Sequence, residues 1–313
     1  MILTVTLNPA IDVTYRVAGL AVGETVRVAD VRSRAGGKGV NVAAVVRQLG
    51  SESVVLALTG RDEPDEFRAG LDRLGLAHRL VPALPAVRRT VAVVEDDGVT
   101  TSLQERGPAV AAGTRDEVVA AFRAELAAGV DAVVVSGSVP PGLGDEVPAR
   151  LVELCAESGI PVIADVSGAA LRAAVPVGAV LLPNRDELAE LAGKRLHEPG
   201  EIAAAGRRLV RDGAAAVVAT LGEEGVLAVT ADHEFLVRPV EKVVGNPTGA
   251  GDAAAAALAR HLARPGLSEV DWPAALADVV ATSAAAVLRP VAGEVDLEAR
   301  AGWLDALAVK ETA

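Results

Sequence analysis

The stretch GNPTGAGDAAAAALAR, Gly245–Arg260, sets Gly249 and Gly251 on either side of Ala250, directly before a run of alanines. A single acid, Asp252, stands at the junction. Glycines let a backbone approach an anion closely, and a helix that starts there points free N–H groups at it. That cradle suits a phosphate. An acid in it makes sense if Asp252 faces the acceptor, where it can take a proton from a hydroxyl while the helix start stabilises the transferring phosphoryl group. On local grounds Asp252 serves equally well as an N-terminal capping residue.

A second glycine-rich segment is RAGGKGVNVAAVVRQLG, Arg34–Gly50. Gly36, Gly37 and Gly39 surround Lys38, and Asn41 falls in the first turn of an Ala/Val-rich helix. Neither the G-x-x-x-x-G-K-[ST] spacing nor G-x-G-x-x-G is present, so a Walker loop and a dinucleotide fold are both unsupported. Lys and Asn at one mouth can hold a polyhydroxylated or phosphorylated ligand; a plain tight turn explains Gly-Gly as well.

Around these motifs run short β-rich stretches: Ile2–Leu7, Ser53–Leu58, Ala132–Gly137, Pro161–Val166, Ala179–Pro183 and Ala215–Gly222. Helical patterns over Thr114–Ala128, Glu146–Ser158 and Glu201–Asp212 alternate with them, which predicts βαβ units and a doubly wound, mostly parallel α/β sheet. Ala10–Arg34 and Val87–Leu103 break the alternation with strands and no helix, and Asp97-Gly98 marks a hairpin. A small sheet projecting from the main body, as a lid or a dimer contact, is expected there. ARPGLSEVDWP reads as an ordinary loop, and Asp271–Leu288 as a buried helix.

In an open parallel sheet, ligands sit beyond the carboxyl ends of the strands. Asp12 follows the first strand and is placed to bind hydroxyls. Asn184 and Glu187 open a helix after another strand, where they can organise Mg2+ through water or cap the helix. Thr220, Gly222 and Gly225 lie at a strand end and suit a nucleotide, or form a simple hairpin.

The 313 residues carry a net charge of −12 and no basic cluster, which argues against a nucleic-acid partner. No uncharged stretch is long enough for a membrane span, and the start lacks a basic leader, so a cytoplasmic location is expected. The one cysteine, Cys155, reads as a small buried hydrophobe. His78, His197, His233 and His261 have no metal-ligand spacing.

NPTGAGDAAAAALA and AGGKGVNVA, more than 200 residues apart and in this order, make the chain resemble the ribokinase-like carbohydrate kinases from about Ile2 to beyond Arg289. TVTLNPAID and VVSGSVPPGL (Val134–Leu143) are typical of its 1-phosphofructokinase and tagatose-6-phosphate kinase branch. The resemblance implies ATP-dependent phosphorylation, with Mg2+, of a ketohexose phosphate: fructose 1-phosphate first, tagatose 6-phosphate next. It implies one kinase domain over residues 1–313, with a lid from about 10–35 and 87–107 that forms a homodimer.

Carried onto this sequence, the resemblance makes Asp252 the base and Gly249, Ala250 and Gly251 the anion hole. Asp12, Gly37, Lys38, Asn41, Arg89 and Ser138 become sugar-phosphate ligands, with Arg89 gripping the phosphate. Asn184, Thr220, Gly222 and Gly225 become nucleotide contacts, and Glu187 the metal ligand. On local grounds Arg88 and Arg89 read equally as a solvated pair on an edge strand. The chain departs from the branch at Val91, where Asn is usual, at Gln104 and Arg106 on the returning lid strand, and at Val166, where Thr is common.

Two other functions fit parts of this pattern. A kinase of an unphosphorylated sugar or nucleoside would not need Lys38 and Arg89 in one pocket, and nucleoside recognition would favour aromatic residues, which are few here. A non-catalytic sugar- or nucleotide-binding regulator would have no use for Asp252.

Overall fold

In a computed structural model the structure describes residues 1–61, 65–263 and 269–311. Strand β1 (Ile2–Thr6) enters the middle of a ten-stranded sheet, and β2 (Ala10–Val17) and β3 (Asp30–Gly36) follow as an antiparallel pair outside it. Helix α1 (Lys38–Gln48) returns the chain to β4 (Ser53–Gly60), α2 (Glu66–Leu74) and β5 (Ala77–Leu84). A second excursion, β6 (Arg88–Glu95) and β7 (Thr100–Gln104), joins β2 and β3 in a four-stranded sheet of order β3-β2-β6-β7. These are the two helix-free stretches of the sequence, and Gly98, at φ 90°, turns the expected hairpin.

Alternation then resumes through α3 (Thr114–Gly129), β8 (Ala132–Ser136), α4 (Val147–Glu157), β9 (Val162–Asp165) and α5 (Gly168–Ala174). It continues through β10 (Val180–Leu181), α6 (Arg185–Ala192), α7 (Pro199–Arg211) and β11 (Ala216–Thr220). The chain ends with β12 (Val226–Val229), β13 (Glu234–Val237), α8 (Ala250–Leu262), α9 (Trp272–Val287), α10 (Leu297–Ala306) and β14 (Val309–Glu311). The large sheet runs β14-β13-β12-β11-β10-β9-β8-β1-β4-β5. It is parallel from β11 to β5, with β12, β13 and β14 added antiparallel.

Beyond the β11–β12 hairpin, which was one reading of Thr220–Gly225, the strands β13, β14 and β5 were not expected from the sequence. β5 carries Pro82, which removes a ladder donor and is tolerated because β5 is an edge strand. The middle residues of the loop expected over ARPGLSEVDWP, 264–268, lie outside the described residues.

Successive side chains of the central strands enter cores on opposite faces. Leu3, Val5, Val133 and Val135 pack with α3, α4 and α7; Ile2, Ala132 and Val134 pack with α1, α8 and α9. A buried side chain such as Phe122 or Leu151 contributes roughly 1.5–3 kcal/mol. Residues Ala253–Ala259 of α8 are all shut off from solvent, which explains the alanine run: larger side chains would hold α8 away from α9 and α1. Cys155 is buried in the first core and its thiol is pushed up to about 12 by burial.

Asp278 of α9 ties three helices together. Burial alone would raise its pKa, but hydrogen bonds from His261, Thr282 and Arg300 hold it well below the usual carboxylate range. Among the described residues no helix is long and apolar enough to cross a membrane.

Candidate active site

The carboxyl ends of the parallel strands deliver most of the site. Asn8 and Asp12 follow β1, Gly137 and Ser138 follow β8, Asp165 ends β9, Asn184 follows β10 and Thr220 ends β11. The small sheet closes the same space from the side. One row across its four strands, Arg34–Asp12–Thr90–Gln104, faces the cavity.

Asp252 lies in the first turn of α8, 5% exposed, and its Oδ2 accepts from Asn41 Nδ2 at 2.9 Å. The residue that caps α8 is Gly249, so the capping reading of Asp252 does not hold. Gly249 adopts φ 87°, and a Cβ on it would stand 2.7 Å from Ala292 Cβ, so only glycine fits this turn. Of the first-turn N–H groups of α8, that of Ala250 donates to the Pro247 carbonyl at 3.2 Å, and those of Gly251 and Asp252 have no intrahelical partner. Burial raises Asp252 to about 7; Lys38 and the Asn41 hydrogen bond pull it down, and Asp165 pushes it up.

Lys38 Nζ donates to Asp165 Oδ1 at 2.8 Å, and Ser136 holds the other oxygen of that carboxylate at 2.7 Å. Burial of the lysine stem disfavours its charge, but Asp165 and Asp252 outweigh this and hold Lys38 above the ordinary lysine value. Its side chain remains 42% exposed toward the cleft, so the ammonium is paired and still accessible. Lys38 therefore sits among Asp165, Asp252 and Glu187, beside the α8 start.

Asp12 accepts from Thr90 Oγ1, and burial raises it against the pull of that bond and of Arg34 and Arg88. Asn8 Nδ2 donates to Ser138 Oγ at 3.0 Å and to the Arg106 carbonyl at 3.1 Å. Arg88 donates to the carbonyls of Asn8 and Glu105, and burial lowers its pKa against the pull of Asp12 and Glu105.

The structure brings Asp12, Gly37, Lys38, Asn41, Ser138, Glu187, Gly249 and Asp252 around one cavity of about 440 Å³. Gly222, Gly225 and Ala250 line a second of about 580 Å³, walled by Val280, Ala284 and Val287 of α9. Asn184, Thr220 and Gly251 line both, so the two meet at the α8 start. Asn184 and Glu187 form a reciprocal capping box on α6, and Gly222 and Gly225 turn a β11–β12 hairpin; the local structural readings of both motifs hold.

Arg89 is the exception. Its guanidinium reaches Glu66 at 3.0 Å on the far side of the small sheet, while Arg88 lines the cavity. Successive strand residues face opposite ways, so a shift of one position exchanges the inward and outward arginines. Arg106 contributes its carbonyl and does not line the cavity with its side chain. The sequence reading missed Asn8, Arg34, Thr90 and Asp165. Asn8 and Asp165 were findable by the strand-end argument that picked out Asp12; Arg34 and Thr90 depend on the register of the small sheet.

The model of the pfkB family of carbohydrate kinases matches residues 5–300. A 1-phosphofructokinase of Xanthomonas campestris is 35% identical over 270 residues, 83% of each chain. Phosphofructokinase-2 of Escherichia coli, solved with substrates and products, is 26% identical with a TM-score of 0.86, covering 97% of this chain and 98% of that one. Arabidopsis thaliana ribokinase, solved with ribose and ATP, shares the fold at 19% identity and a TM-score of 0.71, over 97% of this chain and 98% of its own.

Proposed function

The chain belongs to the pfkB family of carbohydrate kinases, and on that premise we propose that it transfers the γ-phosphoryl group of ATP to a hydroxyl of fructose 1-phosphate. It is a phosphotransferase with an alcohol acceptor. The observation that carries the reading is Asp252: a buried carboxyl near neutrality, held by Asn41, at the seam between a polar cavity and a more apolar one.

The acceptor occupies the polar cavity and ATP the other, so that the γ-phosphoryl group reaches the α8 start. Asp252 takes the proton from the attacking hydroxyl as the oxygen–phosphorus bond forms and ADP leaves. The N–H groups of Gly249 to Gly251 and the Lys38 ammonium stabilise the negative charge of the group in transit. Lys38 works at this end of the cleft, since its neighbours are Asp165, Asp252 and Glu187.

Arg88 and not Arg89 grips the phosphate the acceptor already carries, because of these two it is the one that enters the cavity. The position two residues on is then Thr90, so Val91 is not the departure that matters. Asp12, Asn8 and Ser138 read acceptor hydroxyls. Thr220, Gly222 and Gly225 contact the nucleotide, with α9 against its base.

Mg2+ keeps several waters and binds through one or two carboxylates and the phosphates of its substrate, and Glu187 lines the polar cavity. Glu187 would hold it, and its charge would neutralise phosphate oxygens. The four-stranded sheet acts as a lid over the acceptor and joins a second copy in a homodimer; Val31 and Leu103, 52% and 59% exposed on its two edge strands, are its contact residues.

The test is ATP turnover with Mg2+ on fructose 1-phosphate, tagatose 6-phosphate, fructose 6-phosphate, fructose and ribose in parallel. Fructose 1-phosphate should lead the series, and should exceed fructose and ribose by at least about 100-fold in kcat/KM, the scale of a charged phosphate contact. A lead for free fructose or ribose would overturn the acceptor assignment.

A further inference from the structure

Residues 239–245, between β13 and the α8 start, belong to no helix or strand. Pro239 and residues 241–245 nevertheless wall the cavity of about 580 Å³, together with Val280, Ser283 and Ala284 of α9. Among the described residues no backbone hydrogen bond holds 239–245; the next one comes from Asn246 N–H, which donates to the Val287 carbonyl at 2.8 Å. A segment without backbone ties takes its position from what its side chains touch.

Two of those side chains reach partners outside the segment. Lys242 pairs with Glu223 at 2.6 Å, but both are more than half exposed, and such a pair is worth little. Glu241 Oε1 accepts from Trp303 Nε1 at 2.9 Å. The indole is partly buried against the core shared by α8 and α9, and its one N–H is spent on Glu241. Trp303 also lines a narrow seam with Val243, Val280 and Ala284, three residues that wall the cavity from their other side.

The helix that carries Trp303 is itself pinned. Arg300, one turn earlier on the same face of α10, donates from Nη2 to the buried Asp278 of α9 at 2.6 Å. The cavity wall is therefore tied to a fixed helix by a bond that ends outside the cavity. We propose that Trp303 is a positioning residue for the nucleotide: through Glu241 it holds residues 239–245 beside α9, so that the wall stands before a purine nucleotide enters, and it touches no substrate. A wall ordered in advance spares the binding step that ordering. The inference rests on the reading above that ATP occupies this cavity.

The experiment measures KM for ATP and for whichever acceptor the wild type phosphorylates best, in five variants. Trp303→Phe keeps an aromatic ring and loses the N–H; Glu241→Ala removes the acceptor from an exposed position and covers the case in which Trp303→Phe does not fold. Each should raise KM for ATP about 3- to 10-fold, the scale of one hydrogen bond, with kcat and KM for the sugar within about twofold. The double variant should lose no more than either single one. Glu241→Gln, whose amide oxygen still accepts from the indole, should stay within about twofold of the wild type. Ser283→Leu fills the cavity from α9 and should raise KM for ATP at least about tenfold. If Ser283→Leu has no effect, the nucleotide lies elsewhere, and the cavity assignment falls together with this proposal. If Ser283→Leu acts while Trp303→Phe and Glu241→Ala leave KM for ATP unchanged, or shift both KM values alike, the proposal alone is overturned.

Discussion

Asn41 Nδ2 donates to Asp252 Oδ2 at 2.9 Å, so two glycine-rich motifs 211 residues apart meet at one carboxylate. Each motif alone had a bland local explanation. Their contact turns two helix starts into one site and gives the acid a position, an orientation and a charge environment.

Replacing Asp252 by Asn should keep the fold, since an amide fills the same space, and lower kcat by about 100- to 10,000-fold, the contribution of a general base. Turnover within tenfold of the wild type would remove Asp252 from that role.

The same carboxyl sets a pH dependence in two observables. Asp252 must be ionised to act, so kcat/KM should rise with pH and level off above about 7. Stability runs the other way. A carboxyl raised on folding binds more protons in the folded state, so its contribution is present at low pH and lost as pH rises through about 7. Asp252→Asn should therefore gain Tm over the wild type at pH 8.5 relative to the same comparison at pH 5.5.

Lys38 pulls the Asp252 value down. Lys38→Met should shift the acid limb of kcat/KM to higher pH, besides lowering the plateau. An unmoved limb would mean that the ammonium does not sense the base.

The parallel strands other than the half-exposed edge strand β5 were legible because buried strands of this kind are apolar throughout, and Ile2–Thr6 and Ala132–Ser136 fall within one residue of their expected bounds. The site was legible wherever glycines or a strand end marked it. The small sheet was legible as a segment, but its facing was not. Which of Arg88 and Arg89 points inward depends on the pairing of Ala10 with Arg88, a contact across 78 residues that no local pattern fixes. Arg34 was passed over for the same reason: its importance comes from facing Asp12 in that sheet.

Arg88 and Arg89 give a paired comparison. Arg88→Ala should raise KM for the phosphosugar by about 10- to 100-fold, the loss expected for a charge-assisted phosphate contact. Arg89→Ala removes only an exposed pair with Glu66, worth little, and should stay within about threefold. Reversed effects would mean that the small sheet pairs in another register when the acceptor binds.

Gly249→Ala tests the α8 start itself. An L-residue at φ 87° costs about 1–2 kcal/mol, and the added methyl would meet Ala292, so Tm should fall by at least about 2 °C. The larger effect falls on catalysis. Relief of the contact requires the turn or the Val291–Gly293 segment to move, and either movement shifts N–H groups away from the transferring phosphoryl group. Because those groups act on the transition state, kcat should drop more than KM for the acceptor rises, by about 100-fold if one donor is lost. An equal change in both would mean that the α8 start binds substrate and transition state alike, and the charge stabilisation would then have to come from Lys38.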